Sequence, residues 1–113
     1  MAAIRKAGVK LGISTHDDAE LDRALALAPD YVALGPIYPT ILKKMKWEQQ
    51  GVAKLTTWKQ RIGDIPLVAI GGMSIARAPG AFAAGANIVS AVTDITLNDD
   101  PEARVRAWLD TCA

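Results

Sequence analysis

One unit recurs four times along this chain: a short apolar run, a stop at glycine, proline or a small hydroxyl residue, and a segment with helical spacing. The apolar runs are Val9-Lys10-Leu11-Gly12-Ile13, Tyr31 to Leu34, Pro66 to Ile70 and Ile88 to Val92. Each is short enough for a strand and too continuous for a sheet with one wet face. Between them the spacing changes. Leu21, Ala24, Leu25 and Ala28 fall at i, i+3, i+4 and i+7, and Val52, Leu55, Trp58 and Ile62 share one side of a helix over 51–62. A short third helix has Pro79 at its first position and Gly85 beyond its end. A last helix is capped by Asp99 or Asp100 ahead of Pro101 and buries Val105, Trp108, Leu109 and Cys112. Residues 1–6 read as the end of a further helix, stopped by Gly8. Apolar strands alternating with helices predict an α/β fold, a parallel sheet covered on both faces.

Half of the 113 residues are apolar, enough for one core, and no linker or low-complexity tract divides the chain, so 1–113 is expected to form a single domain. A formal net charge of +1 gives no electrostatic reason to expect a nucleic acid or an anionic membrane as partner. The Lys43-Lys44-Met45-Lys46-Trp47 run is too short to change that. The single cysteine, Cys112, rules out an internal disulfide and suits a reducing compartment. No apolar run approaches the ~20 residues of a membrane span, and the N-terminus lacks a signal-peptide core. The expected location is the cytoplasm.

Parallel sheets hold their ligands beyond the carboxyl ends of the strands. The four ends here are Ser14-Thr15-His16, Gly35 to Thr40, Gly71-Gly72 and Val92-Thr93. They carry hydroxyls and glycines, the residues that let backbone N–H groups close on an anion. Lys43 and Lys44 follow Thr40 closely. Small polar residues at all four ends point to a phosphate-ester site, against the alternative of ordinary βα connections with solvated lysines. His16, at a strand end, reads either as a general acid/base or as a polar residue entering a helix. Asp17, Asp18 and Asp94 are the carboxylates nearest the strand ends, and structural roles suffice for them. Trp47, Trp58 and Trp108 read as packing residues.

As a set, Leu11-Gly12-Ile13-Ser14-Thr15-His16, Gly35-Pro36-Ile37-Tyr38-Pro39-Thr40, Ala69-Ile70-Gly71-Gly72-Met73 and Ala84-Gly85-Ala86 resemble the thiamine-phosphate synthase family, over essentially the whole chain. The resemblance implies a (β/α)8 TIM barrel, of which this chain would be the second half, strands five to eight. It also implies coupling of a pyrimidine diphosphate to a thiazole phosphate, with Mg2+ as cofactor and pyrophosphate released. Diphosphate leaves first in that chemistry, and the thiazole nitrogen captures the pyrimidine carbocation. Carried over residue by residue, Ser14 would bond the diphosphate and Lys43 would pair with it, the two catalytic positions. Thr40, Ile41 and Leu42 would contact the thiazole substrate, and Gly72, Val92 and Thr93 would hold its phosphate.

Two departures accompany the resemblance. Leu42 stands where the family's Thr-x-Thr-Lys motif has its second threonine, which removes a hydroxyl. The family's Mg2+ carboxylates and further diphosphate-binding cations belong to the first half of the barrel, so no metal ligand is expected in this chain. Alone it is expected to be inactive, with a homodimer or a complementing N-terminal half-barrel closing the sheet. Two alternatives stay open: a noncatalytic half-barrel module that binds a phosphate ester or assembles with another half, and a thiazole tautomerase-type relative using His16.

Overall fold

The computed structural model describes residues 6–38 and 51–112. Four strands, β1 (Gly12–Thr15), β2 (Tyr31–Leu34), β3 (Leu67–Ile70) and β4 (Ile88–Ser90), form one sheet in the order β1-β2-β3-β4. Every pairing is parallel, with Ser14 opposite Ala33, Ala33 opposite Val68 and Val68 opposite Ile88. The helices are α1 (Asp18–Leu25), α2 (Val52–Ile62), α3 (Ala78–Ala84), α4 (Thr93–Thr96) and α5 (Pro101–Cys112). The expected α/β alternation is what forms.

Side chains alternate across a strand, so one set faces the helices and the other faces away. Val32, Leu34, Leu67 and Ala69 are fully buried on the helix side, against Leu21 of α1, Leu55 and Trp58 of α2, and Ala78 and Ala81 of α3. The opposite set is Gly12, Ser14, Tyr31, Ala33, Val68, Ile70, Ile88 and Ser90. Tyr31 and Ile88 remain 43% and 49% exposed there, so among the described residues the sheet is covered on one face and partly open on the other, not covered on both as expected, because the connecting helices all pack on one side.

Local chemistry explains the helix boundaries. Asp17 caps α1 by accepting from the Glu20 N–H at 2.8 Å, and Glu20 reaches back to the His16 N–H at 2.7 Å. Asp100 caps α5 through the Ala103 N–H at 3.1 Å. Pro79 lies in the first turn of α3, where its missing N–H costs nothing. Gly63 and Gly85 end α2 and α3 with positive φ. Helices α1 and α2 are tied by Arg61 to Asp18 and Asp22, and by Lys54 to Asp18.

Several expectations need correction. β1 runs over Gly12–Thr15, later than the expected 9–13, and Val9 is 56% exposed. β4 closes at Ser90, two residues before Val92. Thr15 is therefore no strand-end hydroxyl offered to a ligand. It is buried, donates to the Ala33 carbonyl at 2.8 Å and accepts from the Trp58 indole N–H at 3.1 Å. In α5 only Trp108 is buried, while Val105, Leu109 and Cys112 are exposed. Trp58 and Trp108 are packing residues, as expected; Trp47 lies outside the described residues.

Candidate functional site

The loops at the carboxyl end of the sheet are stitched together by main-chain hydrogen bonds. Gly35 N–H donates to the Thr15 carbonyl at 3.2 Å, which carries β2 over the end of β1. Ile37 and Tyr38 N–H groups donate to the Ile70 and Gly71 carbonyls, each at 3.1 Å, binding the loop after β2 to the end of β3. This contact needs glycine on both sides. A Cβ on Gly35 would stand 2.7 Å from the Ile70 carbonyl oxygen, and one on Gly71, whose φ is +100°, would stand 2.6 Å from Pro36 Cα. The Gly-Pro and Gly-Gly pairs are thus two halves of one close crossing. The Gly35-Pro36 peptide is cis.

Arg77 holds the outer side of that crossing. Its guanidinium lies 4.2 Å from the centroid of the Tyr38 ring and donates to the Gly72 carbonyl at 2.6 Å. Both the loop after β2 and the loop after β3 are therefore gripped by one cation. Arg77 is not singled out by the sequence, because nothing in the local pattern marks an aromatic partner thirty-nine positions earlier.

Asp94 plays the corresponding part after β4. Its carboxylate accepts from Arg104 Nε and Nη2, each at 3.0 Å, and from the Trp108 indole N–H at 2.8 Å. The hydrogen bonds from Arg104 hold its carboxyl below the usual aspartate range, opposed by burial and helped by Trp108 and the Ile75 backbone. One carboxylate thereby joins α4, α5 and the loop after β3. Its structural role agrees with the sequence reading, although its partners, ten and fourteen residues away, follow no simple motif.

The site residues expected from sequence divide into two groups. Ser14, Gly72, Val92 and Thr93 all lie at the carboxyl end of the sheet. Ser14 is the penultimate residue of β1 on the open face, Gly72 lies just past β3 with φ +63°, and Thr93 opens α4 behind Val92. Thr40, Ile41, Leu42 and Lys43 lie outside the described residues. His16 enters α1, with its Nδ1 2.8 Å from Glu20 Oε1, so its ring is held beside the helix cap.

No group of three or more His, Cys, Asp or Glu among the described residues could hold a metal. The carboxylates near the strand ends are engaged elsewhere: Asp17 with the α1 cap, Asp18 with Arg61, and Asp94 with Arg104 and Trp108. The residues described here therefore do not fit an Mg2+ site.

Four parallel strands in sequence order, with connecting helices on one face and loops gathered at the strands' carboxyl ends, define the class: a half of a TIM-barrel-like α/β fold. A solved thiamine phosphate pyrophosphorylase from Pyrococcus furiosus superposes on 98% of this chain with a TM-score of 0.81 at 20% identity, and the match takes up 52% of that structure. A 3-hexulose-6-phosphate synthase matches with a TM-score of 0.70 at 18% identity, over 99% of this chain and 54% of its own. Likeness at these identities concerns the fold. The family model for thiamine monophosphate synthase matches residues 1–95, and the chain belongs to that family. It is 61% identical over all 113 residues to a thiamine-phosphate synthase of Rhizobium etli, covering 55% of that protein. It is 49% identical over 98 residues to one of Cronobacter sakazakii, 87% of this chain and 47% of that protein. The chain spans about half the length of the curated relatives it matches.

Proposed function

We propose that residues 1–113 are one unit, equivalent to strands five to eight of the family barrel, and supply the thiazole-phosphate side of a thiamine-phosphate synthase site. The observation that supports this reading is that Ser14, Gly72, Val92 and Thr93 all lie at the carboxyl end of one sheet, in a chain of this family. The reaction joins a pyrimidine diphosphate to a thiazole phosphate in thiamine biosynthesis and releases pyrophosphate. Gly72, Val92 and Thr93 bind the thiazole phosphate, with the Arg77 clamp fixing the loop that carries Gly72. Ser14, presented on the open face, donates to the diphosphate. Lys43 neutralises the departing charge, and Thr40, Ile41 and Leu42 align the thiazole nitrogen for attack. Mg2+, when bound by the whole enzyme, supplies further charge to the leaving diphosphate, and its ligands come from outside the residues described here. The working location is the cytoplasm.

Two measurements test this reading. Pyrophosphate release from the two substrates with Mg2+ should be absent for the purified chain and should appear when the first half of a homologous barrel is added. Electrostatic groups in a preorganised site are commonly worth ~3–4 kcal/mol each, so lacking the metal side removes many orders of magnitude in rate. Turnover by the chain alone would refute the division of labour. Thr93→Ala should weaken thiazole-phosphate binding by about 1 kcal/mol if the hydroxyl bonds the anion, and calorimetry giving equal affinity would remove Thr93 from the site. Gly72 is a poorer probe, because at φ +63° any side chain strains the backbone as well as blocking the anion.

A second reading has an observation of its own. With no metal-holding group among the described residues, the unit fits a noncatalytic module that binds a phosphate ester. Thiazole-phosphate binding without any gain of turnover on complementation would favour it.

A further inference from the structure

We propose that Arg77 is a positioning residue for phosphate-ester binding: by holding the Gly72 carbonyl it aims the Met73 N–H at the anion. This rests on the loop after β3 being part of the phosphate site, and it adds the side chain that sets the direction of one donor there.

The carbonyls at the end of β3 are tied down one after another. Those of Ile70 and Gly71 accept from the Ile37 and Tyr38 N–H groups, each at 3.1 Å, and that of Gly72 accepts from Arg77 Nη1 at 2.6 Å. In a trans peptide the N–H points away from the carbonyl of the same planar unit. Fixing these three carbonyls therefore turns the N–H groups of Gly71, Gly72 and Met73 to the far sides of their peptides. Among the described residues, none of the three donates to a main-chain or side-chain acceptor. Successive N–H groups on a glycine turn, here with φ of +100° at Gly71 and +63° at Gly72, are the means by which a backbone holds an anion.

The three peptides are not held alike. The first two are fixed by main-chain donors of the loop after β2, which remain whatever side chains that loop carries. The third is held by a side chain. Gly72 lets its peptide turn easily, so without Arg77 the Gly72–Met73 unit can rotate and carry the Met73 N–H off the anion. Met73 is 4% exposed and packed in the core, so packing fixes one end of that unit and Arg77 the other. Arg77 is itself placed from two directions. Its main-chain N–H donates to the Ser74 carbonyl at 3.0 Å, closing the turn that returns its side chain to residue 72, and its guanidinium lies 4.2 Å from the Tyr38 ring centroid. Arginine suits both contacts, because its planar group rests on a ring while its N–H groups donate from the edge. The cation also polarises the peptide that it holds, which strengthens the Met73 N–H as a donor.

The test titrates the 113-residue chain with inorganic phosphate and with thiazole phosphate, by calorimetry and by the NMR shift of the Met73 amide. Arg77→Met should weaken both ligands roughly tenfold, the worth of one charge-assisted hydrogen bond, and abolish the shift of the Met73 amide seen in the wild type. Tyr38→Leu keeps the cation but removes the ring that holds it. It should cause a loss of similar size, and the double variant should lose no more than Arg77→Met alone. Asn87→Ala controls for a merely structural effect. Asn87 accepts from the Leu67 N–H at 3.0 Å and from Lys59 Nζ at 2.8 Å, just before β4 at the amino end of the sheet, so its loss should lower stability and leave affinity unchanged. Arg77 is exposed, and circular dichroism checks that every variant is folded. Wild-type affinity of Arg77→Met for both ligands overturns the proposal. So does full affinity of Tyr38→Leu beside a weakened Arg77→Met, since the cation would then act on the phosphate directly. Binding that is weakened by Thr93→Ala but not by Arg77→Met refutes the role of Arg77 alone, whereas a wild type that binds neither ligand refutes the phosphate site and Arg77 together.

Discussion

Replacing Asp94 with alanine should loosen the carboxyl end of the sheet more than any other single change to a charged residue described here. Three donors converge on its carboxylate, two from Arg104 and one from the Trp108 indole. Arg104 is half-buried at the surface and its guanidinium can be re-solvated once released, so it contributes less to the loss. Trp108 is different. Its side chain is 7% exposed, and its N–H would be left buried without an acceptor, which costs about 1–3 kcal/mol. Loss of the 2.8 Å charge-assisted bond itself points to the upper part of that range, so we expect roughly 2–3 kcal/mol. Against a total of about 6–15 kcal/mol for a chain of this length, that is a large share. Urea unfolding followed by circular dichroism, at one fixed protein concentration, measures it, with a fall in Tm of roughly 4 °C per kcal/mol. Trp108→Phe made on top of Asp94→Ala should add almost nothing, since the donor is already orphaned.

The same residue sets a pH dependence. Its carboxyl is held below the ordinary aspartate value, so the folded state favours the ionised form. The stability it lends is complete above the unfolded value near ~3.9 and is lost as pH falls through the lower folded value. Wild type and Asp94→Asn should therefore converge in stability in acid and separate at neutral pH. A loss under ~0.5 kcal/mol for Asp94→Ala, or a gap to Asp94→Asn that does not change with pH, would refute the reasoning.

Two further outcomes are expected. Thr15→Val keeps the shape of the side chain but leaves the buried Trp58 N–H and Ala33 carbonyl without their shared partner, and should cost about 2 kcal/mol by urea unfolding; a neutral result would mean that the bond network around Trp58 is dispensable. Gly35→Ala forces the loop after β2 away from the Ile70 carbonyl, 2.7 Å from the new Cβ, and should cost about 1–3 kcal/mol and weaken phosphate-ester binding in the same calorimetric assay; unchanged stability and affinity would separate the loop crossing from the site.

The sequence by itself determined the alternation of strand and helix, the parallel sheet that follows from it, and which end of that sheet carries small polar residues. These are local properties. Apolar runs of strand length, helical periodicity at Leu21 and Ala24 or Leu55 and Trp58, and the punctuation by Gly63, Pro79 and Gly85 are all set within a few residues of chain. Only the tertiary structure decided what each polar group at the strand ends is used for. Ser14 and Thr15 are adjacent hydroxyls in the sequence, yet the pleat turns Ser14 to the open face and buries Thr15 under Trp58, forty-three residues further on. Asp94 and Arg77 read as unremarkable surface charges until folding brings Trp108 and Tyr38 beside them. The exposed flank of α5 belongs to the same category. Val105 and Leu109 have the spacing of a core face, but a spacing only says that a surface is suited to burial. Whether it is buried depends on a strand lying against it, and that is a property of the assembled sheet, not of the helix.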